Sequence, residues 1–358
     1  MQTNDRPISE LMISINKGAI QLPDFQRGWV WEDGRIKALI ASITNNYPVG
    51  AAMFLEYGND NIRFKYRVIE GVTATDVIPT ELILDGQQRL TSIYSSLYSR
   101  NAVHTRTDKG KKIFRYYYID IKKACDPNCD RVDAIFSVPE TRIITSNFGR
   151  DIELDLSDRT KEFENKMFPL NLILDFPEEQ NWQNEYYAFY NYNQEIIKEF
   201  TEFNKKIIMQ TLQYKIPVIS LGKDTPKEAV CQVFENVNTG GVSLTVFELV
   251  TAIFAMDDFE LRKDWEERKA KYFDGDLLSC ITDFLTACTL LSTYKKGGTV
   301  SCKKKDVLNL SLKDYNNFAD ALSEGFVEAE KILQEERVFS NKDLPYSTQL
   351  IPLAALCT

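Results

Sequence analysis

A strand that turns directly into a helix constrains the fold of this chain more than any other feature of its sequence. The mostly apolar run at residues 80–84 leads without interruption into Asp85-Gly86-Gln87-Gln88-Arg89, here called the phosphate turn. Apolar residues then recur at helical spacing, at Leu90, Ile93, Tyr94, Leu97 and Tyr98. The pattern predicts a buried strand, a polar turn and a helix that packs with one face on the core.

The rest of the chain divides into a mixed part and a helical part. Further strands are predicted at residues 49–57, 63–71, 112–121 and 216–221. Residues 122–215 are acidic, with aromatic clusters, and are predicted to form a mainly helical insertion. No strand is predicted after residue 257. We therefore expect a mixed domain at residues 1–256 and a helical domain at 257–358.

Composition excludes several classes of function. The 358 residues carry a formal charge of −9, which excludes a protein held on nucleic acid by bulk positive charge but leaves room for a local basic groove. One histidine, His104, is predicted in a polar loop and excludes any chemistry that needs two. Cys125 and Cys129 form the one close cysteine pair and lack the further ligands of a zinc site. A polar N-terminus and the lack of a long apolar run predict a cytoplasmic protein without a membrane span.

The phosphate turn has the groups that bind phosphate. A helix N-terminus presents unpaired N–H groups and partial positive charge, and Gly86 lets a ligand approach the backbone. Gln87 and Gln88 are neutral donors, and Arg89 offers a planar fork. Asp85 is able to hold Mg²⁺ or to orient a water molecule. The alternative is that Asp85 only caps the helix and Arg89 is a surface cation.

The aromatic block, residues 22–31, places Gln26 and Arg27 among aromatic side chains. An arginine beside Phe25, Trp29 and Trp31 suits stacking on a base or binding a phosphate next to it. The alternative is aromatic core packing with an exposed arginine.

A third block, residues 234–241, joins two predicted helices with the sequence Phe-Glu-Asn-Val-Asn-Thr-Gly-Gly. Its Asn, Thr and Gly residues predict a polar loop that closes over a ligand. The alternative is a simple turn between helices.

Basic residues also cluster in a predicted hairpin, here called the basic hairpin, at Arg106, Lys109, Lys111, Lys112 and Arg115. Two interpretations are open for this cluster and for the lysines of residues 295–305. Each either contacts a nucleic-acid backbone or forms a solvated charged loop. The sequence contains neither G-x-x-x-x-G-K-[ST] nor a strand followed by G-x-G-x-x-G, so no P-loop or dinucleotide fold is indicated.

Together the three blocks resemble the N-terminal domain family of GmrSD-type, modification-dependent restriction systems. Asp85-Gly86-Gln87-Gln88-Arg89 matches the family's D-G-Q-Q-R signature, and residues 22–31 and 234–241 resemble its other two blocks in the same order. The resemblance implies an α+β fold with a ParB/sulfiredoxin-like mixed core followed by an all-helical region. It implies an NTP-hydrolysing sensor, with GTP or another NTP as substrate, that couples turnover to recognition of modified phage DNA.

The resemblance also implies roles for individual residues. The catalytic residues would be Asp85, Gln87, Gln88 and Arg89, with Mg²⁺ held at Asp85. The nucleotide-binding residues would be Gly86, Gln26, Arg27, Asn236, Asn238 and Thr239. DNA contacts would come from Phe25, Trp29, Arg106, Lys111 and Lys112. Where Phe25 and Trp29 stand the family usually carries a tyrosine, which puts a tyrosine-specific DNA contact in doubt.

The partners that follow are an NTP, modified phage DNA and a nuclease domain or subunit. Related proteins often add an HNH-type nuclease that needs histidines, so this chain is not expected to cleave DNA alone. Its apolar closing segment, residues 350–358, predicts that it is the N-terminal part of a longer protein. Two alternative functions stay open, a non-catalytic module that binds modified DNA and an ATP-dependent phosphotransferase. The chain is also a possible homo-oligomer.

Overall fold

A computed structural model describes residues 2–26, 28–29, 31–58, 64–226, 229–230, 233, 245–273, 281–297, 299–340, 343–344 and 346–358. The chain forms two compact units, one of residues 1–57 with 66–222 and the other of residues 58–65 with 223–358. The domain boundary predicted at residue 256 lies inside the second unit.

Strands and helices alternate in the first unit. The strands in chain order are β1 (Gln2–Pro7), β2 (Ile20–Pro23), β3 (Ala52–Glu56), β4 (Tyr66–Arg67), β5 (Glu81–Asp85), β6 (Val103–Arg106), β7 (Lys112–Asp120), β8 (Ile135–Pro139), β9 (Ile143–Ser146), β10 (Asp151–Asp155), β11 (Met167–Pro169) and β12 (Lys215–Leu221). The helices are α1 (Ile8–Asn16), α2 (Asp33–Thr44), α3 (Gln87–Ile93), α4 (Ile121–Cys125), α5 (Arg131–Ala134), α6 (Arg159–Glu164), α7 (Phe176–Phe189), α8 (Gln194–Phe203) and α9 (Met209–Gln213). Single wider π-turns extend α3 over Tyr94–Tyr98 and α8 over Asn204–Ile208.

A six-stranded mixed sheet carries the phosphate turn. Its order is β1-β12-β3-β5-β2-β4, so β5 lies between two other strands. Leu82, Ile83 and Leu84 of β5 are buried, as an apolar strand in the interior of a sheet must be. The apolar stripe of α1, with Ile8 and Ile15 fully buried, belongs to the same core.

A second sheet forms around β7, which pairs antiparallel with β6, β8 and β11, and β9 pairs with β10. An aromatic cluster supports this part of the unit, centred on Trp182 of α7, which is fully buried. The Trp182 ring lies 5.0 Å from the ring of Tyr186 and 5.7 Å from that of Phe200, both stacked.

Helices make up most of the described part of the second unit. Its helices are α10 (Val246–Phe254), α11 (Leu261–Tyr272), α12 (Ile281–Lys295), α13 (Lys304–Leu308), α14 (Leu312–Glu335) and α15 (Leu350–Leu356). Phe284, Tyr315 and Phe326 are buried together at its core. Arg268 ties α11 to α14 by donating to Asp320 at 2.7 Å, and it also donates to Asp264 of its own helix at 2.8 Å.

The α+β class is confirmed, and the likeness to a ParB/sulfiredoxin core stays a prediction. Several details differ from the sequence prediction. His104 lies in strand β6, where Val103 and Thr105 are buried and His104 is exposed, and not in a loop. The strand predicted at residues 63–71 is reduced, in the part that is described, to β4. Residues 122–215 contain four short strands among the helices.

Strand β1 was missed because its sequence, Gln-Thr-Asn-Asp-Arg-Pro, is polar. It lies at the edge of the sheet and pairs only with β12, so it needs backbone hydrogen bonds and little apolar burial.

Two further sequence expectations concern metals and membranes. Cys125 and Cys129 are free thiols, and the described residues contain no group of three or more His, Cys, Asp or Glu side chains arranged around a metal. Every described helix is too short or too polar to cross a bilayer.

Candidate functional site

The phosphate turn is a sharp strand-to-helix connection. Asp85 is the last residue of β5 and Gln87 is the first of α3. Gly86 joins them at φ +92°, in the left-handed region, and a Cβ there would lie 3.3 Å from the Cβ of Ala52. Only glycine meets both conditions without strain. The carboxylate of Asp85 and the first N–H groups of α3 therefore reach the same end of the sheet.

Arg89 is bound to protein oxygen atoms. Its Nη1 donates to the carbonyl of Val49 at 2.6 Å, and its Nη2 donates to that of Ala51 at 2.8 Å and to Asp85 Oδ2 at 3.3 Å. Arg89 thus fixes the chain entering β3 and positions the carboxylate of Asp85. A direct contact between Arg89 and a phosphate stays a prediction.

Gly50 makes room for this guanidinium. Its φ is +89°, and a Cβ built there would lie 2.3 Å from Arg89 Nη1. The sequence analysis did not single out Gly50, because its partner lies 39 residues further along the chain.

Gly50→Ala is therefore expected to displace the guanidinium and to lower the free energy of unfolding by about 1–3 kcal/mol, measured by urea denaturation. The matched control is Gly149→Ala, which has a similar φ of +84° and no atom within 4 Å of the added Cβ. The difference between the two losses in free energy of unfolding gives the cost of displacing the arginine. Equal losses would mean that the backbone conformation alone sets the cost.

The aromatic block is joined to the phosphate turn by side-chain amides. Gln26 Nε2 donates to the carbonyl of Ile83 at 2.7 Å and to that of Leu84 at 3.3 Å, and Gln88 Nε2 donates to the carbonyl of Gly28 at 3.3 Å. The two blocks are thus in direct contact, and the predicted role of Gln26 in nucleotide binding stays a prediction. Arg27 lies outside the described residues.

Trp29 is held in place at two points. Its backbone N–H donates to Glu70 Oε1 at 3.0 Å, and its indole Nε1 donates to Ser92 Oγ at 3.1 Å. Ser92 Oγ in turn donates to the carbonyl of Gln88 at 2.7 Å, so Trp29 is linked to the phosphate turn through α3. Glu70 is a residue that the sequence analysis missed, since an isolated acid in a predicted strand gives no signal.

The remaining predicted residues fall into three groups. Arg106 and Lys112 face each other on paired strands β6 and β7, whereas Lys111 is exposed just before β7. Phe25 is half-buried in the turn after β2. The predicted loop with Asn236, Asn238 and Thr239 lies outside the described residues.

Thr245 and Glu248 form a capping box at the start of α10. The Thr245 N–H donates to Glu248 Oε2 at 2.7 Å, and the Glu248 N–H donates to Thr245 Oγ1 at 3.4 Å.

The donor set at the phosphate turn fits a Mg²⁺ ion that is shared with a nucleotide. Asp85 is one carboxylate with a side chain 35% exposed, and Mg²⁺ bound to nucleotides commonly uses one or two carboxylates together with phosphates and water.

Comparison with known proteins identifies the family of this chain. Residues 8–255 match the family described as GmrSD restriction endonuclease, N-terminal domain, which is more than half of the 358 residues. The chain belongs to this family. The GmrSD-type match runs from the first residue of α1 through α10 and contains the aromatic block, the phosphate turn and the third block.

A second comparison, with a single relative, covers more of the chain than the family match does. The chain is similar to Uncharacterized protein MJ0686 of Methanocaldococcus jannaschii, with 29% identity over 315 residues. The alignment covers 84% of this chain and 50% of that protein, so this GmrSD-type chain spans about half the length of the relative.

Proposed function

We propose that this chain is an NTP-hydrolysing sensor module of a modification-dependent restriction system, and that it couples turnover to recognition of modified phage DNA. The observation that carries the proposal is the phosphate turn. One carboxylate, a left-handed glycine and a helix N-terminus meet there at the end of a buried strand. The joined aromatic block supports a link between hydrolysis and DNA.

The proposed mechanism assigns separate tasks to the residues of the turn. The first N–H groups of α3 bind the phosphates and stabilise the charge that develops during hydrolysis. Asp85 would hold Mg²⁺ or the attacking water, while Arg89 keeps the Asp85 carboxylate in position. When bound, Mg²⁺ supplies neutralisation of the phosphate charge. Gln87 and Gln88 orient the phosphates, and Gln26, Arg27, Asn236, Asn238 and Thr239 complete the nucleotide site.

The first experiment is phosphate release by the purified chain with each NTP and Mg²⁺, without DNA and with phosphorothioated, glucosylated or unmodified duplex. We expect Mg²⁺-dependent release with at least one NTP and a rate that changes with one modified duplex. Chelation of Mg²⁺ with EDTA is expected to abolish release. No release under any of these conditions would reject the assignment.

One observation favours a second candidate, a non-catalytic module that binds modified DNA. Both terminal nitrogen atoms of Arg89 are bound to protein oxygens, so this arginine lacks the freedom of a residue that grips a transferring phosphate. Tight binding to modified duplex without turnover would select this candidate. A labelled product other than free phosphate would instead identify a phosphotransferase.

A further inference from the structure

A cavity of about 550 Å³ lies in the first unit, and Trp29 is one of the residues that line it. Its volume is in the range of pockets that hold small molecules, about 300–1,000 Å³. Of the described residues that line it, none belongs to residues 85–89. The cavity is therefore a separate binding feature from the candidate hydrolytic site.

Aromatic side chains from two directions line the cavity. Trp29 and Trp31 belong to the aromatic block, and Phe114 belongs to β7. Thr105 Oγ1 donates to the Trp31 carbonyl at 2.7 Å, which fixes the block against β6. Phe114 is 43% exposed and packs edge-on against His104 at 4.4 Å between ring centres. These rings are held in place but not covered, as in surfaces on which bases stack.

Among the charged residues that line the cavity, Arg106 and Lys112 are basic and Glu70 is acidic, and Glu70 Oε1 accepts from the Trp29 N–H and from Arg67 Nη1. This balance favours an anionic ligand. Arg106 and Lys112 line it from opposite positions of β6 and β7, and neither makes an ion pair with a described residue. Two like charges facing each other on paired strands repel unless an anion lies between them. Residues 103–115 contain five basic residues and one acidic residue in a chain of net charge −9. The combination of aromatic walls with neighbouring cations is typical of nucleic-acid binding.

We propose that this cavity receives one nucleobase extruded from the bound DNA, stacked against Trp31, with the adjacent phosphates contacted by Arg106 and Lys112. This inference rests on the DNA recognition in the proposed function and specifies how the modified strand is read. A free nucleotide carries the same base chemistry, so the experiment must separate these two sources.

The test compares two short fluorescein-labelled duplexes of one sequence, fully paired or with a single mismatch, by fluorescence anisotropy. Extruding a mismatched base costs less, so the wild-type protein is expected to bind the mismatched duplex about tenfold more tightly. Trp31→Ala is expected to remove this preference. Lys112→Ala should weaken binding to both duplexes and lower the salt slope by about 0.9.

Two further variants control for misfolding of Trp31→Ala and for the general effect of removing an aromatic ring. Phe114→Ser alters a side chain that is 43% exposed, so it tests the same cavity if Trp31→Ala does not fold. Tyr192→Ala removes an aromatic ring that is 61% exposed elsewhere in the unit and is expected to bind both duplexes as the wild type does.

Equal affinity of the wild type for both duplexes would overturn the proposal that the cavity receives an extruded base. NTP hydrolysis and its response to modified DNA are tested separately, by phosphate release. If Trp31→Ala raises the KM for NTP and leaves DNA affinity unchanged, the cavity holds the base of the nucleotide, and the proposal is wrong. Failure of the proposed function has a different signature, the absence of phosphate release.

Discussion

Asp85→Asn is expected to lower the rate of NTP hydrolysis by about 10²–10³-fold, because asparagine keeps the shape of the side chain and removes the charge that attracts Mg²⁺ and orients water. The carboxylate lies at the end of β5 and accepts from Arg89 Nη2 at 3.3 Å. The amide leaves that guanidinium bound to the carbonyls of Val49 and Ala51, so the fold should be retained. Initial rates of phosphate release at saturating NTP and Mg²⁺ give the measurement.

Glu81→Gln is the matched control for Asp85→Asn. Glu81 lies at the other end of the same strand and pairs with Arg6 at 2.7 Å. The two side chains of this pair are 18% and 19% exposed, so its loss is expected to lower the free energy of unfolding by about 1–3 kcal/mol and to leave hydrolysis unchanged. If Asp85→Asn hydrolyses at the parental rate, Asp85 has no catalytic role. If both variants are slow to the same degree, the effect comes from the strand and not from the site.

Trp182→Ala is expected to lower the free energy of unfolding by about 3–5 kcal/mol, which is enough to unfold many domains at physiological temperature. The substitution removes a fully buried ring from the aromatic cluster. It also removes the indole N–H that donates to Glu162 Oε2 at 2.9 Å. Glu162 is buried, and its carboxylate would keep the hydroxyl of Tyr118 at 3.0 Å and the more distant guanidinium of Arg159 at 3.8 Å. Urea denaturation measures the loss.

Trp182→Phe separates packing from this hydrogen bond through its pH dependence. Burial raises the pKa of Glu162 above 4.5, and the hydrogen bonds from Trp182 and Tyr118 oppose that rise. Loss of the indole N–H raises this pKa further. A carboxyl with a raised folded pKa binds more protons in the folded state, so stability falls as the pH rises through that pKa. The loss in free energy of unfolding caused by Trp182→Phe should therefore be larger at pH 7 than at pH 4. A deficit independent of pH would show that packing alone is lost.

The sequence predicted the local geometry of the site well, because the signals there are local. An apolar run, a glycine in a sharp turn and a helical stripe are contiguous, so the strand, the turn and α3 follow from residues 80–98 alone. The link between Gln26 and the strand of the phosphate turn was predicted only as a shared site, since the carbonyl oxygens that bind the amide belong to residues 57 and 58 positions away.

The role of Arg89 shows why the rest of the site could not be predicted. The residue type suggested a phosphate contact, but its partners are main-chain oxygens, which have no signature in a sequence. The same limit applies to the cavity. His104 alternates with buried residues in β6, and Glu70 lies in a short irregular segment, so only the fold brings them to the same wall as Trp29.

The way in which the aromatic block is attached has a consequence for engineering. Main-chain pairing between β2 and β5 ends at Gln21 and Leu82, and beyond that point the Gln26 amide takes over the carbonyl groups of β5. Beyond β2 the described part of the block is therefore held to this sheet by side-chain contacts, since Gln26 binds β5 and Arg67 Nη2 of β4 donates to the Gln26 carbonyl at 3.2 Å. Under the proposed function, we expect that replacing this segment with that of a related protein, with the glutamine retained, changes the choice of target DNA and leaves the end of β5 folded.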